Sequence, residues 1–563
     1  MIHSFYYMRP TKTSKWISKI GVLQFVENEE WLWLLSRNKR TGGWELSHVY
    51  NLDITSVDDL NKILRSFFQR TSPAYILAFQ LSHTIPQSNL PLLLLKLGYQ
   101  PTAVSATRSS GFSKWEDSKY KDARRPHTLV VFDIQNLMRI DNILDLVEYS
   151  KSCVPFNISR EELTKAEIFW LAFLDILDVV HQYLDKATFD ITAASIAMHH
   201  FTAKHLVKHD IAIPMIYAVW QDLRNSVFTY PVTIYRSGKL SGTYYLCDCN
   251  NLYLYIAATR DLPGPAISHF NSPPLSSVRN LVKHYTCTAY CTVKRCHYPF
   301  PYQPQDERDV PENDQHFTWL SGDELYLAVE SDALVHVHSL YVFATSKSLR
   351  SYAIEALDIL RTLKLSHDRL FYYTAKFALL SMLGKFATRG YRTKYCPNIE
   401  PRAWIGYEKP IAQSDSGSTF LYAFGKTFLL EWGFPTACSA PQVFAHITAN
   451  ARVHMHNILS QLPKQSIIYR DVDAAILDHA GYQTLMNTPH FGTNPGQMSL
   501  RAEGDNIEIF APRHYRIGHL EVISGKPLHP LHREFNRPTH DTRLYFDIED
   551  CFVPRNTRLT ATS

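Results

Sequence analysis

The chain has 563 residues, too many for one ordinary core, so two to four domains are expected. Hydrophobic residues make up 45% and charged residues 20%, which excludes a disordered chain. The net charge of +5, from 58 Lys and Arg against 53 Asp and Glu, is too small to mark a nucleic-acid binder by bulk charge, so a DNA path would have to be a local patch. The opening MIHSFYYMRPTKTSKW has no apolar leader core, and no stretch reaches the ~18 apolar residues of a membrane span. With an odd number of cysteines, 9, the sequence reads as a soluble intracellular protein in a reducing compartment, with no membrane partner.

In chain order, the first part reads as α/β. Ile20–Phe25 and Trp31–Leu35 have the pattern of a hairpin, Asp58–Gln69 of a helix and Ala74–Leu81 of a strand. Leu90–Leu97 reads as an apolar helix, Leu129–Asp133 as a buried strand, and Glu161–Asp185 and Ala193–His205 as helices. From Thr229 to Ala257 the text is strand-rich, with turn signals at Ser237–Gly238 and Ser241–Gly242. Asp261–Pro274 reads as loop, and Pro299–Asp314, rich in Pro and acids, as an exposed insertion. Helical spacing returns at Leu349–Leu363 and Arg369–Thr388, Tyr391–Ser418 is irregular, Pro441–Leu462 is helical, and Ser466–Tyr469 is a strand. Cys287, Cys291, Cys296 and His297 have the residue types of a zinc site, but their alternating, strand-like surroundings favour reduced strand cysteines.

Three lines carry possible chemistry. YYLCDCNNLYL (Tyr244–Leu254) is an apolar strand that delivers Asp248 and runs into a helical turn with Tyr253. KFALLSMLGKF (Lys376–Phe386) lies on a helix, where Gly384 costs ~1 kcal/mol against Ala and hints at close approach by another group. SIIYRDVDA (Ser466–Ala474) is a second apolar strand ending in Tyr469, Asp471 and Asp473; read as continuing strand, the two acids share a face. Carboxylates at adjacent strand ends suit a pair of divalent ions, because Mg²⁺ takes hard oxygen ligands from one or two carboxylates plus substrate phosphates. Taken singly, a D-x-D pair is more often a solvated turn and a helical Lys a solvated face.

Together and in this order, the three lines resemble the D-x-x-S-L-Y-P, K-x-x-x-N-S-x-Y-G-K and Y-x-D-T-D-S motifs of family B DNA polymerases. APRHY (Ala511–Tyr515) resembles the family's K-x-Y motif, and LRAE (Leu500–Glu503) stands where it has L-K-x-E. Gaps of 128 residues between Asp248 and Lys376 and 86 between Lys385 and Asp471 leave room for the two insertions of the protein-primed branch found in small bacteriophages, adenoviruses and linear plasmids. Trp319–Phe343 also resembles the segment that leads into that branch's fingers.

The resemblance implies an α/β and α+β multidomain protein: an exonuclease-like (RNase H-like) unit over about residues 1–190, then a right-hand polymerase over 191–563. Fingers are expected near 345–390, insertions near 266–343 and 391–420, and the thumb near 495–563. Position by position, it implies Asp248 and Asp473 as metal ligands assisted by Asp471, for two Mg²⁺ ions that Mn²⁺ can replace. Tyr253 becomes the gate against ribonucleotides, Lys376 the triphosphate ligand helped by Arg361 and Lys364, and Tyr469, Arg513 and Tyr515 the contacts to primer and DNA. The implied partners are primer, template, dNTPs and a separate terminal protein as primer.

The sequence departs from the family at Leu380 and Leu383 in the second motif, Ala474 after the third and Leu254 in the first, and FTYPV (Phe228–Val232) lacks the glycine pair of Y-x-G-G. The exonuclease acids are missing as well. Gln24 and Val26 stand where D-x-E is expected, with Glu27 and Glu29 beyond them at a hairpin turn, and AFQLSHTI has no carboxylate. Of Y-x-x-x-D only Leu171 with Asp175 or Asp178 remains, and Asp133 reads as a helix cap. A polymerase without proofreading is expected, with an inactive DNA-binding homologue as the competing reading and a nuclease disfavoured.

Overall fold

The computed structural model describes residues 5–527 apart from 10–15, 69–72, 80–87, 107–110, 118–125, 153–156, 229–233, 236–237, 295, 297, 299, 302–314, 367–368, 397, 401–405, 409–417, 424–425, 512–513 and 524–525. The N-terminal part is built on a mixed sheet of β1 (Lys19–Val26), β2 (Glu29–Arg37), β3 (Trp44–Asn51), β4 (Ala74–Ala78), β5 (Tyr99–Ala106), β6 (Gly111–Asp117) and β7 (Thr128–Asp133). Their order is β3-β2-β1-β4-β7-β6-β5, with β4 parallel to both β1 and β7. Alternation along each strand gives the sheet two apolar faces. Ile20, Val22, Val26, Trp33 and Leu35 pack towards helix α1 (Leu163–Tyr183). Leu23, Leu32, Leu34 and Ile76 pack on the other side with the helices Val57–Ser66 and Leu90–Lys96.

Beyond α1 the chain runs through α2 (Ala193–His200), whose last turn widens into a π turn over Phe201–His205, and on to a second, antiparallel sheet. Its main strands are β8 (Gly238–Cys249), β9 (Ile467–Asp471), β10 (Ala474–Asp478), β11 (Met498–Ala511) and β12 (His514–Ile517), adjacent in the order β9-β10-β8-β11-β12. One face, with Tyr245, Cys247 and Leu477, is covered by helices α3 (Leu252–Thr259) and, further along the chain, Pro441–Leu459. The other carries Tyr244, Leu246, Tyr469, Ile476 and Tyr515. Between β8 and β9 lie two long helices, α4 (Ser348–Leu365) and α5 (Arg369–Lys385). A four-stranded antiparallel sheet precedes them, and a second follows them ahead of α6 (Pro441–Leu459).

Several expectations need correction. Asp261–Pro274 is not loop: Pro263–Asn271 is the edge strand of the first four-stranded sheet, where its prolines need no partner on the open side. Tyr391–Ser418 contains strand too, since Arg389–Tyr395 pairs with Lys426–Pro435. Ser241–Gly242 is a bulge within β8, at a register shift between Leu240 and Thr243, and not a turn. Among the described residues a Cβ on Gly384 would meet no atom within 4 Å, so none of them crowds the side of the glycine where a side chain would stand. Cys287 and Cys291 are core residues of the first four-stranded sheet, and burial pushes the Cys287 thiol up to about 12. The thiols of Cys287, Cys291 and Cys296 donate to the carbonyls of Tyr285, Thr318 and Tyr298, and no metal cluster forms on them among the described residues. His297 lies outside the described residues. No described helix is long and apolar enough to cross a membrane.

Candidate active site

Along β8, Tyr244, Leu246 and Asp248 alternate onto the face not covered by α3 and α6, and Asp248 stands where the strand ends. Its register partners are Ala474 on β10 and Ser499 on β11. β9 and β10 form a tight hairpin in which Asp471 pairs with Ala474, so Val472 and Asp473 are the turn itself. The expectation that Asp471 and Asp473 share the face of a continuing strand is therefore corrected. The turn, entered at Val472 with φ +47°, swings Asp473 back towards β8, where its carbonyl accepts from Cys249 N at 2.8 Å. A β-branched residue at positive φ is strained by ~1–3 kcal/mol, a cost borne here beside the acids.

The electrostatics show how close the groups stand. Burial, followed by the charge of Asp248, raises the Asp473 carboxyl to about 7. Burial also raises Asp248, against the opposing pull of Arg501 and Lys376. Lys376, on α5, is lowered by burial and by Arg501 while both acids favour its charged form. Its ammonium lies 5.8 Å from the Tyr372 ring centroid, one turn earlier. Tyr515 is raised by burial and by the three aspartates, and its ring lies 5.1 Å from that of Tyr469. The structure thus brings Asp248, Asp471, Asp473, Lys376, Tyr469 and Tyr515 into one site. Tyr253, half-buried at the start of α3, packs between the core beneath the sheet and the one shared with the N-terminal part.

Two expected residues do not join this site. Arg361 is 75% exposed and pairs with Asp358 on its own helix at 3.0 Å. Lys364 is exposed on the same helix. Arg513 lies outside the described residues. One residue had gone unassigned: Arg501, on β11, donates from Nε to Asp248 Oδ2 at 3.0 Å and pairs through its second nitrogen at 2.9 Å. Asn250 steadies this corner, donating to the carbonyls of Gly492 and Gln497 and accepting from Ser499. Among the described residues the three aspartates do not close a three-ligand cage by themselves. Two partly buried carboxylates that repel each other, with only oxygen to offer, fit a hard divalent cation whose remaining positions go to substrate oxygens.

The N-terminal positions are occupied differently. Gln24 is buried, accepting from Trp170 Nε1 at 3.1 Å and donating to the Phe25 carbonyl. Asp178 accepts from the indoles of Trp16 at 2.8 Å and Trp44 at 2.7 Å and from Arg37. Asp133 caps a short helix by accepting from Gln135 N, as expected of it. Glu27 lies in the β1–β2 turn and Glu29 opens β2, both paired with Arg160. AFQLSHTI falls mostly outside the described residues.

This combination, a mixed α/β unit followed by an antiparallel sheet with acids at its strand ends, is the multidomain architecture of a DNA polymerase fold. The particular likeness is to Phi29 DNA polymerase. Its complex with primer-template DNA and incoming nucleotide substrates matches with a TM-score of 0.58 over 90% of this chain and 88% of that one, at 14% identity. Its complex with single-stranded DNA matches with a TM-score of 0.57 over 92% and 89%, at 15% identity. No protein-family model and no curated protein sequence matches the chain.

Proposed function

We propose that the protein is a template-directed DNA polymerase that extends a primer 3′ hydroxyl with deoxynucleotides and lacks 3′–5′ proofreading. The observation that carries this reading is the partly buried Asp248–Asp473 pair facing Lys376, with Asp473 raised to about 7. Asp248 and Asp473 would hold Mg²⁺, assisted by Asp471, and the ions would supply charge neutralisation for the reacting oxygens. In the reaction the primer 3′ oxygen bonds to the α-phosphorus, the α–β bridge breaks, pyrophosphate leaves, and the hydroxyl proton passes to water. Lys376 binds the triphosphate and offsets the charge that develops on it. Tyr253 lies under the sugar, Tyr469 and Tyr515 hold the primer end, and Arg513 supplies a further contact to DNA. The palm, fingers and thumb follow the boundaries given above, and a separate terminal protein provides the priming hydroxyl. Absence of proofreading is supported by Gln24 bonded to Trp170 and Asp178 enclosed by two indoles.

One observation favours the inactive, DNA-binding reading: Arg501 already neutralises Asp248. The test is extension of a 5′-labelled primer–template by wild type and an Asp248→Asn, Asp473→Asn variant with Mg²⁺, then Mn²⁺. Template-dependent extension by wild type alone is expected, with no primer shortening when dNTPs are withheld. Absence of extension from DNA, RNA and protein hydroxyls, with DNA binding intact, would establish the inactive homologue.

A further inference from the structure

A second cluster lies away from the aspartates, where α4 crosses the end of α2. We propose that His200, His205 and Glu355 form a binding site for a zinc-class divalent cation that fastens α4 to the π turn. One ligand atom from each of the three lies within 4.8 Å of the other two. Both imidazoles are buried, with side chains 1% and 5% exposed.

Five residues is the wrong spacing for a regular helix, which would place His205 about 140° around the axis from His200. The π turn over Phe201–His205 winds more slowly and returns His205 to the same side, with ring centroids 5.4 Å apart. Turns of this kind recur at functional sites.

The outer nitrogens are held as metal-bound histidines usually are. His200 Nδ1 lies 2.6 Å from the Asp185 carbonyl, which only accepts, so Nδ1 carries the proton and Nε2 keeps its lone pair. His205 Nδ1 bonds Ser351 Oγ at 3.0 Å. Both Nε2 atoms are buried and face Glu355, and His200 Nε2 makes no hydrogen bond. His200 Nε2 stands 3.9 Å from Glu355 Oε1, and His205 Nε2 stands 2.8 Å from Glu355 Oε2.

The other groups facing the cluster are the Tyr352 ring and Lys204, whose ammonium lies 2.7 Å from both Glu355 Oε1 and Asp185 Oδ1. Lys204 occupies Oε1 of Glu355, and Oε2 faces His205 Nε2, where an ion would come between them. Two imidazoles and a carboxylate suit zinc or cobalt, with water as a fourth ligand on the half-exposed Glu355 side. The all-oxygen set at Asp248 and Asp473 suits magnesium instead.

The experiment uses the full chain carrying Asp248→Ala and Asp473→Ala, stripped with chelator and titrated with Co²⁺ and then Zn²⁺. One Co²⁺ per chain is expected, with visible d–d bands, two imidazole nitrogens by X-ray absorption, displacement by Zn²⁺ and indifference to millimolar Mg²⁺. Glu355→Gln and His205→Gln should each weaken binding by about 10- to 100-fold with the circular dichroism unchanged. No Co²⁺ bound below millimolar concentration, or binding without imidazole nitrogen, overturns the proposal even if the variants misfold. Binding unchanged in both variants overturns it equally.

Discussion

Asp473 is a carboxylate placed where its own charge is disfavoured, which has consequences for stability as well as chemistry. Its folded-state pKa of about 7 lies above the ordinary 3.8, so between these values the folded protein binds more protons than the unfolded chain. Stability of the metal-free protein should therefore fall as pH rises from about 4 to about 7 and stay low above it. Asp473→Asn should flatten this slope and stabilise the metal-free protein by ~1–2 kcal/mol at pH 8, while abolishing primer extension. Urea unfolding in chelator at pH 5 and pH 8 measures the first effect, and a pH slope equal in both proteins would contradict it. Gly384→Ala meets open space, so it should raise helix stability by up to ~1 kcal/mol. If that space receives template or nucleotide, extension falls while the melting temperature holds or rises. Most of this site was legible in the sequence because its residues keep a fixed order within short apolar lines. Arg501 was not: it lies 253 residues from Asp248, and only the β8–β11 register, with Ser499 opposite Asp248, brings the pair together. Nor was the hairpin turn, because the apolar run Ser466–Tyr469 carries its strand pattern on into D-V-D.

At the scale of elements, the helix Asp323–Glu330, which packs on the first four-stranded sheet, is joined to α6 by a buried ion pair. Arg452 Nε and its second nitrogen donate to the two oxygens of Glu324 at 2.7 Å each, and Tyr298 donates to Glu324 at 2.6 Å. Glu324 is fully buried. Removing one partner of such a pair strands a charge, so Arg452→Ala should cost ~3–5 kcal/mol. Replacing both, as Arg452→Met with Glu324→Leu, should recover much of that loss, because the stranded charge disappears with its partner. Chemical denaturation of the three proteins tests this; an additive double variant would mean the two residues act independently. The two strands read from sequence as loop or irregular text share one cause. Pro263–Asn271 and Arg389–Tyr395 are both edge strands, half of whose backbone groups need no neighbour, so prolines and charged residues are tolerated and the apolar alternation fades. Central strands such as β7 and β8, buried on at least one face, kept a readable pattern.

Across the whole molecule, a fold similar to that of Phi29 DNA polymerase is reached at 14–15% identity, so the packing tolerates extensive change in sequence. At Gln24 an amide bonded to a buried indole serves the core of the N-terminal unit. One apolar core extends from Ile20 and Trp33 through Trp170, Phe189 and Phe201 to Tyr352, Leu383 and Ile447. It crosses the boundary drawn from sequence near residue 190, because residue patterns locate elements but not which elements share a core. Cutting there would expose Trp170 and its neighbours on one side, and Phe201 and Leu383 on the other. The 191–563 fragment should therefore bind a hydrophobic dye and aggregate, and should not extend primers. The intact chain should lose the N-terminal unit and α4–α5 in one calorimetric transition. Two separate transitions, or a soluble and active 191–563 fragment, would show that the N-terminal unit is only appended. With a shared core, Gln24→Asp should lower the melting temperature without restoring excision, since the strand has become part of the support on which α5 and Lys376 rest.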